Sequence, residues 1–196
     1  MAKEFDPKHA GKLENPERLI ELPPARLVEL LRLTGAETVV DFGAGTGMYS
    51  IPLAEAVPLG RVLAVDEQPE LLERLRAKLE ARPGSGRVEP VLSEDGRAPL
   101  DDGVADRMLI INVLHHVDDD PGALAEIGRL LAPGGLLVAA EFAQMDRPVG
   151  PPNDHVLPLD AVRALLTGIG LSELAVYAPG DAGRYHNVIV AEKPRP

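Results

Sequence analysis

The residues best suited to chemistry fall into four groups along the 196-residue chain. The first is VVDFGAGTG (39–47), an apolar run with an acid at Asp41 and glycines at Gly43, Gly45 and Gly47. Glycine permits tight turning and lets a ligand approach the backbone where a Cβ would collide. A helix after such a loop points its N-terminal N–H groups into the same crevice. The second is Asp66, at the end of RVLAVD (61–66). It follows the glycines by roughly twenty residues, where a doubly wound fold puts a carboxylate beside a ribose. Asp66 also stands where a helix cap before Pro69 would, and the two roles are compatible. The third is LHHVDDD (114–120). Adjacent histidines rarely converge on one ion, and Asp118 to Asp120 precede a proline-opened helix as caps, so no metal site is expected. His115 or His116 can instead act as a general base. The fourth is His155, set between Pro152 and Pro158, which either contacts a substrate or is a plain loop residue.

These groups need a scaffold, and the apolar pattern supplies one. ETVVDF (37–42), RVLAVD (61–66), RVEPVL (87–92), part of ADRMLIINVL (105–114) and LLVAAEF (136–142) read as strands. Helical stripes lie between them: ARLVELLRL up to Gly35, 48–57 with a kink at Pro52, 69–82, and 157–170. A further helix over 121–132 is stopped by Pro133-Gly134-Gly135. The alternation predicts an α/β fold with a doubly wound, mostly parallel sheet. LSELAVY (171–177) and NVIVAEK (187–193) are joined by too few residues for a crossover helix, so they form an antiparallel pair at the end of the sheet. One domain covers the chain. Residues 1–22 form an N-terminal helical lid segment, whose apolar Phe5, Leu13, Leu19 and Ile20 must lie over something, and 23–196 form the body.

Composition narrows the function classes. Hydrophobic residues at 45% and charged residues at 26% suit a folded globule. The absence of cysteine excludes disulfides, thiolate nucleophiles and zinc–thiolate sites. A net charge of -11 and 3% aromatics argue against nucleic acid as a partner. No apolar run reaches the ~18–20 residues of a membrane span. The N-terminus is polar, without a secretion signal, so a cytoplasmic location is expected. A nicotinamide dinucleotide would also suit the glycine loop and Asp66. Its G-x-G-x-x-G fingerprint, however, needs glycine where Met48 stands, and no spare domain is visible for a hydride acceptor.

Taken in order, VVDFGAGTG, AVDEQPELL and LLAPGGLLVAAEF resemble the successive signatures of class I S-adenosylmethionine-dependent methyltransferases, nearest to the ubiquinone/menaquinone-biosynthesis-like group. The resemblance runs from about Pro23 to the C-terminus. It implies a Rossmann-like sheet of seven strands with the last one reversed. It also implies S-adenosyl-L-methionine as cofactor and methyl transfer to a small-molecule acceptor. Carried over by position, Asp41 and the loop Gly43, Ala44, Gly45 and Gly47 would line the methionine part. Asp66 would hold the ribose, with Glu67 joining the cofactor site. Glu94 or Asp95, the latter favoured, would meet the adenine amine. Asn112 would lie by the amino-acid end through its backbone. The His115–His116 segment would border the acceptor pocket, and topology adds 5–33 and the proline-rich loop 143–158, which lie at the same carboxyl edge of the sheet. Methyl transfer is an in-line displacement in which alignment contributes on the order of 7–11 kcal/mol, so no catalytic side chain is obligatory. The alternatives are a nicotinamide-dependent oxidoreductase and a non-catalytic cofactor-binding protein.

Overall fold

Successive side chains of a strand point to opposite faces, so a strand apolar at every position must be covered on both sides. The computed structural model, which describes residues 14–82, 87–118 and 120–196, is built on this rule. Its strands are β1 (Thr38–Phe42), β2 (Arg61–Asp66), β3 (Val88–Leu92), β4 (Ala105–Ile111), β5 (Leu131–Phe142), β6 (Ser172–Tyr177) and β7 (His186–Glu192). They form one seven-stranded sheet in the order β3-β2-β1-β4-β5-β7-β6. Neighbours from β3 to β5 pair in parallel. Strand β7 runs antiparallel to both β5 and β6. The expected α/β architecture, mostly parallel with a reversed final strand, is the observed one.

The helices are α1 (Glu17–Glu21), α2 (Pro24–Leu31), α3 (Ser50–Ala56), α4 (Pro69–Glu80), α5 (Leu114–Val117), α6 (Pro121–Leu130) and α7 (Leu159–Gly168). One face of the sheet, with Val39, Ala64, Leu109 and Val138, packs on Leu27, Leu53 and Leu72 of α2, α3 and α4. The opposite face, with Val40, Leu63, Ile110 and Leu137, packs on Ile127 of α6 and Val162 of α7. Each large apolar side chain buried in this way contributes ~1.5–3 kcal/mol.

Two local expectations are corrected. Helix α6 ends at Leu130, and β5 begins at Leu131 and runs through Pro133-Gly134-Gly135. The β4–β5 register jumps from Ala105↔Leu131 to Arg107↔Leu136, so the glycines form a bulge, with Gly134 at φ 78. The end of α6 is served instead by Lys193, whose Nζ donates to Gly128 O and Leu131 O at 2.8 Å each. Pro52 falls in the first turn of α3, where no intrahelical N–H bond is made, so it opens that helix rather than kinking its middle.

The strand order reverses direction between β1 and β4. Ligands in open α/β sheets bind outside the carboxyl ends of the strands at such a switch point. Among the described residues, no helix is long and apolar enough to cross a membrane.

Candidate functional site

A crevice of about 1000 Å³ opens at that switch point, lined by the loop after β1, the tips of β2, β3 and β4, and Arg18 of α1. The glycine loop bends because its glycines take positive φ, 74° at Gly43, 57° at Gly45 and 75° at Gly47. Gly43 and Ala44 donate their N–H groups to Val65 O at 2.8 and 3.0 Å, folding the loop onto the tip of β2. Space is as tight as the backbone. A Cβ on Gly43 would stand 2.3 Å from Val113 Cγ2, and one on Gly47 would stand 2.3 Å from Leu75 Cδ1.

Asp66 joins the loop to the next motif. Its Oδ2 accepts from Gly45 N at 2.7 Å, and its Oδ1 accepts from Gln68 N, just ahead of α4, at 2.9 Å. Burial raises its pKa, opposed by the N–H groups of Gln68 and Gly45. Each carboxylate oxygen keeps a further lone pair, so these two bonds leave acceptor capacity for a ligand hydroxyl. Glu67 beside it is exposed and also lines the crevice. Asp41 lies deeper, with Ser50 Oγ donating to its Oδ2 at 2.6 Å. Burial pushes the Asp41 carboxyl up to about 6, opposed by the Ser50 bond and aided by the nearby charge of Asp66.

After β3 the chain turns back at Glu94-Asp95-Gly96-Arg97. Glu94 N donates to Arg97 O at 3.0 Å, and Arg97 N donates to Glu94 O at 2.9 Å. Asp95 and Gly96 have φ of 50° and 71°, the two positive values of a type I′ turn. Glu94 and Asp95 are both exposed, and both line the crevice.

At the tip of β4, Asn112 takes φ 55 and donates its backbone N–H to Ala140 O at 2.8 Å. Short polar side chains tolerate this left-handed conformation better than most. The following residues are held by Glu141, which is buried at the end of β5. Its Oε1 accepts from Val113 N at 2.7 Å and Leu114 N at 2.8 Å, and its Oε2 lies 2.7 Å from His115 Nδ1. A carboxylate only accepts, so His115 donates from Nδ1. That bond commits His115 to fixing α5, whereas His116, its ring centroid 4.1 Å away, lines the crevice.

The N-terminal segment is strapped across the glycine loop. Tyr49 Oη donates to Leu22 O at 3.3 Å and Arg18 O at 3.4 Å. Lys78 Nζ donates to Thr46 O at 3.0 Å and pairs with Glu14 Oε1 at 2.9 Å. Arg18 is the one permanent cation among the described residues that line the crevice. Residues 1–13, with Phe5 and Leu13, lie outside the described residues.

The structure thus gathers Asp41, Gly43, Ala44, Gly45, Asp66, Glu67, Glu94, Asp95, Asn112 and His116 around one crevice. Gly47 packs on α4 instead, and His115 of α5 is bonded to Glu141 and does not line the crevice. His155 is exposed in a short 3-10 turn (Asn153–His155) and does not line the crevice. Its loop builds a separate hollow of about 340 Å³, organised by Arg147, which donates to Met145 O, Asn153 Oδ1 and Pro151 O. Sequence reasoning missed Arg18, Tyr49, Glu141 and His186. Glu141 did leave a signal, as an acid in an otherwise apolar buried strand.

The sheet order, the switch-point crevice and the glycine loop joined to an acid on β2 define a Rossmann-like nucleoside-cofactor fold. Residues 40–139, just over half of the chain, match the family described as "Methyltransferase domain", and the chain belongs to that family. A 37.1 kDa protein of transposon Tn4556 from Streptomyces fradiae is 39% identical over 116 residues, which cover 59% of this chain and 33% of that protein. A demethylmenaquinone methyltransferase from Thermus thermophilus is 36% identical over 118 residues, which cover 60% of this chain and 52% of that one. The chain thus spans a third of the first and about half of the second. The crystal structure of a SAM-dependent methyltransferase from Aquifex aeolicus superposes with a TM-score of 0.89 at 28% identity, covering 97% of this chain and 100% of that one.

Proposed function

We propose that the protein transfers the methyl group of S-adenosyl-L-methionine to a small-molecule acceptor. The observation that carries this reading is the meeting of glycine loop, Asp66, Glu94–Asp95 turn and His116 around one crevice. Its volume of about 1000 Å³ is at the upper end for small-molecule sites, which suits a cofactor together with an acceptor. When bound, the cofactor's sulfonium supplies an activated methyl group. The chain's own task is to bind, orient and exclude water. Asp66 holds the ribose while still accepting from Gly45 N and Gln68 N, with Glu67 beside it. Asp95, at the apex of its turn, or Glu94 meets the adenine amine. The loop from Gly43 to Gly47, with Asp41 beneath it, takes the methionine part, and Asn112 takes its amino-acid end. His116 is the histidine placed to accept a proton from the acceptor, and His115 positions the turn that carries it. His155 touches substrate only if the loop 143–158 moves. Residues 1–22 act as a lid on the body 23–196, a reading supported by the Tyr49 and Lys78 straps. The acids that line the crevice and the net charge of -11 disfavour a polyanionic acceptor such as nucleic acid.

Asp41 gives this reading a test in pH. With its carboxyl at about 6, it is ionised above that pH and neutral below it. A bound ligand carrying an ammonium group favours the ionised form. Affinity for S-adenosylhomocysteine is therefore expected to rise roughly tenfold between pH 5 and pH 7 and then level off. Asp41→Asn should flatten the curve. Calorimetric titration across this range, with NAD as the control, checks it. Tight NAD binding without binding of S-adenosylhomocysteine would overturn the reading in favour of an oxidoreductase.

A further inference from the structure

Helix α1 is tied to two separate parts of the sheet's carboxyl edge. On one side Tyr49, in the loop after β1, donates from Oη to Leu22 O at 3.3 Å and Arg18 O at 3.4 Å. On the other, Arg184 N donates to Glu21 O at 2.6 Å, and Gly183 lies against Leu22. Residues 183 and 184 lead directly into β7. Because β7 runs antiparallel to β5, His186 pairs with Phe142 at the carboxyl end of the parallel strands. Strands β4 and β5 lie between β1 and β7 in the sheet. The helix therefore bridges the half of the crevice away from β2 and β3.

Arg18 is the one residue of α1 that lines this crevice. Burial pulls its pKa below the usual value, opposed by Tyr49 and Glu21, yet a guanidinium stays charged at physiological pH. Its charge reaches His186, whose imidazole is taken down to about 3 by burial and then by Arg18 and Arg147. The cation thus lies toward β7. The acids of the lining lie elsewhere. Asp41, Asp66, Glu67, Glu94 and Asp95 all belong to β1, β2, the loop after β2 or the turn after β3. Charge in the crevice is therefore divided, acidic over β1 to β3 and cationic beneath α1.

On the cofactor reading, the adenosine and the methionine part occupy the acidic half. The volume beyond Asn112, between His116 and Arg18, is left to the acceptor. A guanidinium taken partly out of water regains that solvation from an anion. Its planar fork meets one carboxylate with two parallel N–H···O bonds. No second permanent cation stands among the described lining residues, so the match is to a single carboxylate rather than to a phosphate dianion.

Resting on the cofactor reading above, we propose that the acceptor is a small molecule bearing one carboxylate and that Arg18 is the residue that selects it. The carboxylate is a handle. The new bond to the methyl carbon forms from a lone pair on another atom of the acceptor as the bond to sulfur breaks, its electron pair staying on sulfur. Any proton on that atom passes to His116.

The first arm of the test uses the wild-type chain. A bacterial metabolite extract is divided, and in one half the carboxyl groups are converted to methylamides with a carbodiimide and methylamine, which are then removed. With methyl-labelled S-adenosylmethionine, the untreated half should give labelled small molecule and the amidated half at least about tenfold less, the scale of losing a charged hydrogen-bond partner. Equal label in both halves would overturn the proposal. So would loss of label after phosphatase treatment of the extract, which would make the acceptor a phosphate. In the second arm, Arg18→Gln should raise the amount of extract needed for half-maximal transfer about tenfold or more, with the maximal rate and the affinity for S-adenosylhomocysteine changed by less than about twofold. Arg18→Lys, which keeps the charge without the fork, should fall between. Weaker S-adenosylhomocysteine with unchanged methylthioadenosine in Arg18→Gln would put the guanidinium on the cofactor's own carboxylate and overturn the proposal. Failure of the wild-type chain to bind S-adenosylhomocysteine would instead remove the cofactor reading itself.

Discussion

Replacing Asp66 with alanine is expected to weaken S-adenosylhomocysteine binding by roughly 1–3 kcal/mol, about five- to a hundred-and-fiftyfold. The carboxylate has two jobs in the structure and a third in the proposed complex. It accepts from Gly45 N at 2.7 Å and from Gln68 N at 2.9 Å, and the residue lines the crevice. Alanine removes the ligand's acceptor and leaves two N–H groups without one. It also removes one of the bonds that tie the glycine loop to the tip of β2, leaving those from Gly43 and Ala44 to Val65 O, so part of the loss comes through a loosened loop. Asp66→Asn should not rescue binding, because an amide presents an NH2 group either to Gly45 N–H or to Gln68 N–H. Calorimetry, with circular dichroism to confirm the fold, reads the effect. Unchanged affinity in a folded variant would reduce Asp66 to a brace between the glycine loop and the start of α4.

Gly43→Ala is expected to cost more, because it acts on the backbone and on the packing together. An L-residue in the left-handed region costs ~1–2 kcal/mol before any contact is considered. The new Cβ would also stand 2.3 Å from Val113 Cγ2. Val113 cannot easily withdraw, since its N–H is held by Glu141 at 2.7 Å and it follows Asn112 directly. The strain therefore passes into the crevice wall. Binding of S-adenosylhomocysteine should fall by more than about a hundredfold, and the melting temperature should drop by several degrees, at roughly 2–4 °C per kcal/mol for a domain of this size. Adding Val113→Ala should recover part of both losses by making room for the Cβ. A double variant no better than Gly43→Ala would show that the Val113 contact is not the source.

The parts of the fold readable in the sequence were those set by local pattern. The runs at 61–66 and 37–42 were legible as strands because a strand buried on both faces has no polar alternation to blur it. The glycine loop and Asp66 were readable because turning and close approach need particular residue types at a particular place. What escaped depends on partners far away in the chain. Pro133-Gly134-Gly135 looks like a helix stop, and only the pairing of Lys193 with Gly134 and Gly135 makes it a bulge. His115 and His116 are alike in sequence, and Glu141, twenty-six residues away from His115, decides which of them faces the crevice. His186 escaped for the same reason, since its place at the carboxyl edge follows from the direction of β7. The turn at Asp95-Gly96 was within reach, because an Asp-Gly pair is itself a signal for a type I′ turn.

Transfer of the cofactor's methyl group to a small molecule leaves a product that can be followed by its label. The most direct measurement incubates the purified protein with S-adenosylmethionine labelled in its methyl group and a bacterial metabolite extract, then separates small molecules, RNA and protein. Label is expected in the small-molecule fraction, outside the cofactor itself, and should be lost in the Asp66→Ala variant. Label in RNA or protein would contradict the acceptor class. Label confined to a cofactor that still binds would contradict catalysis.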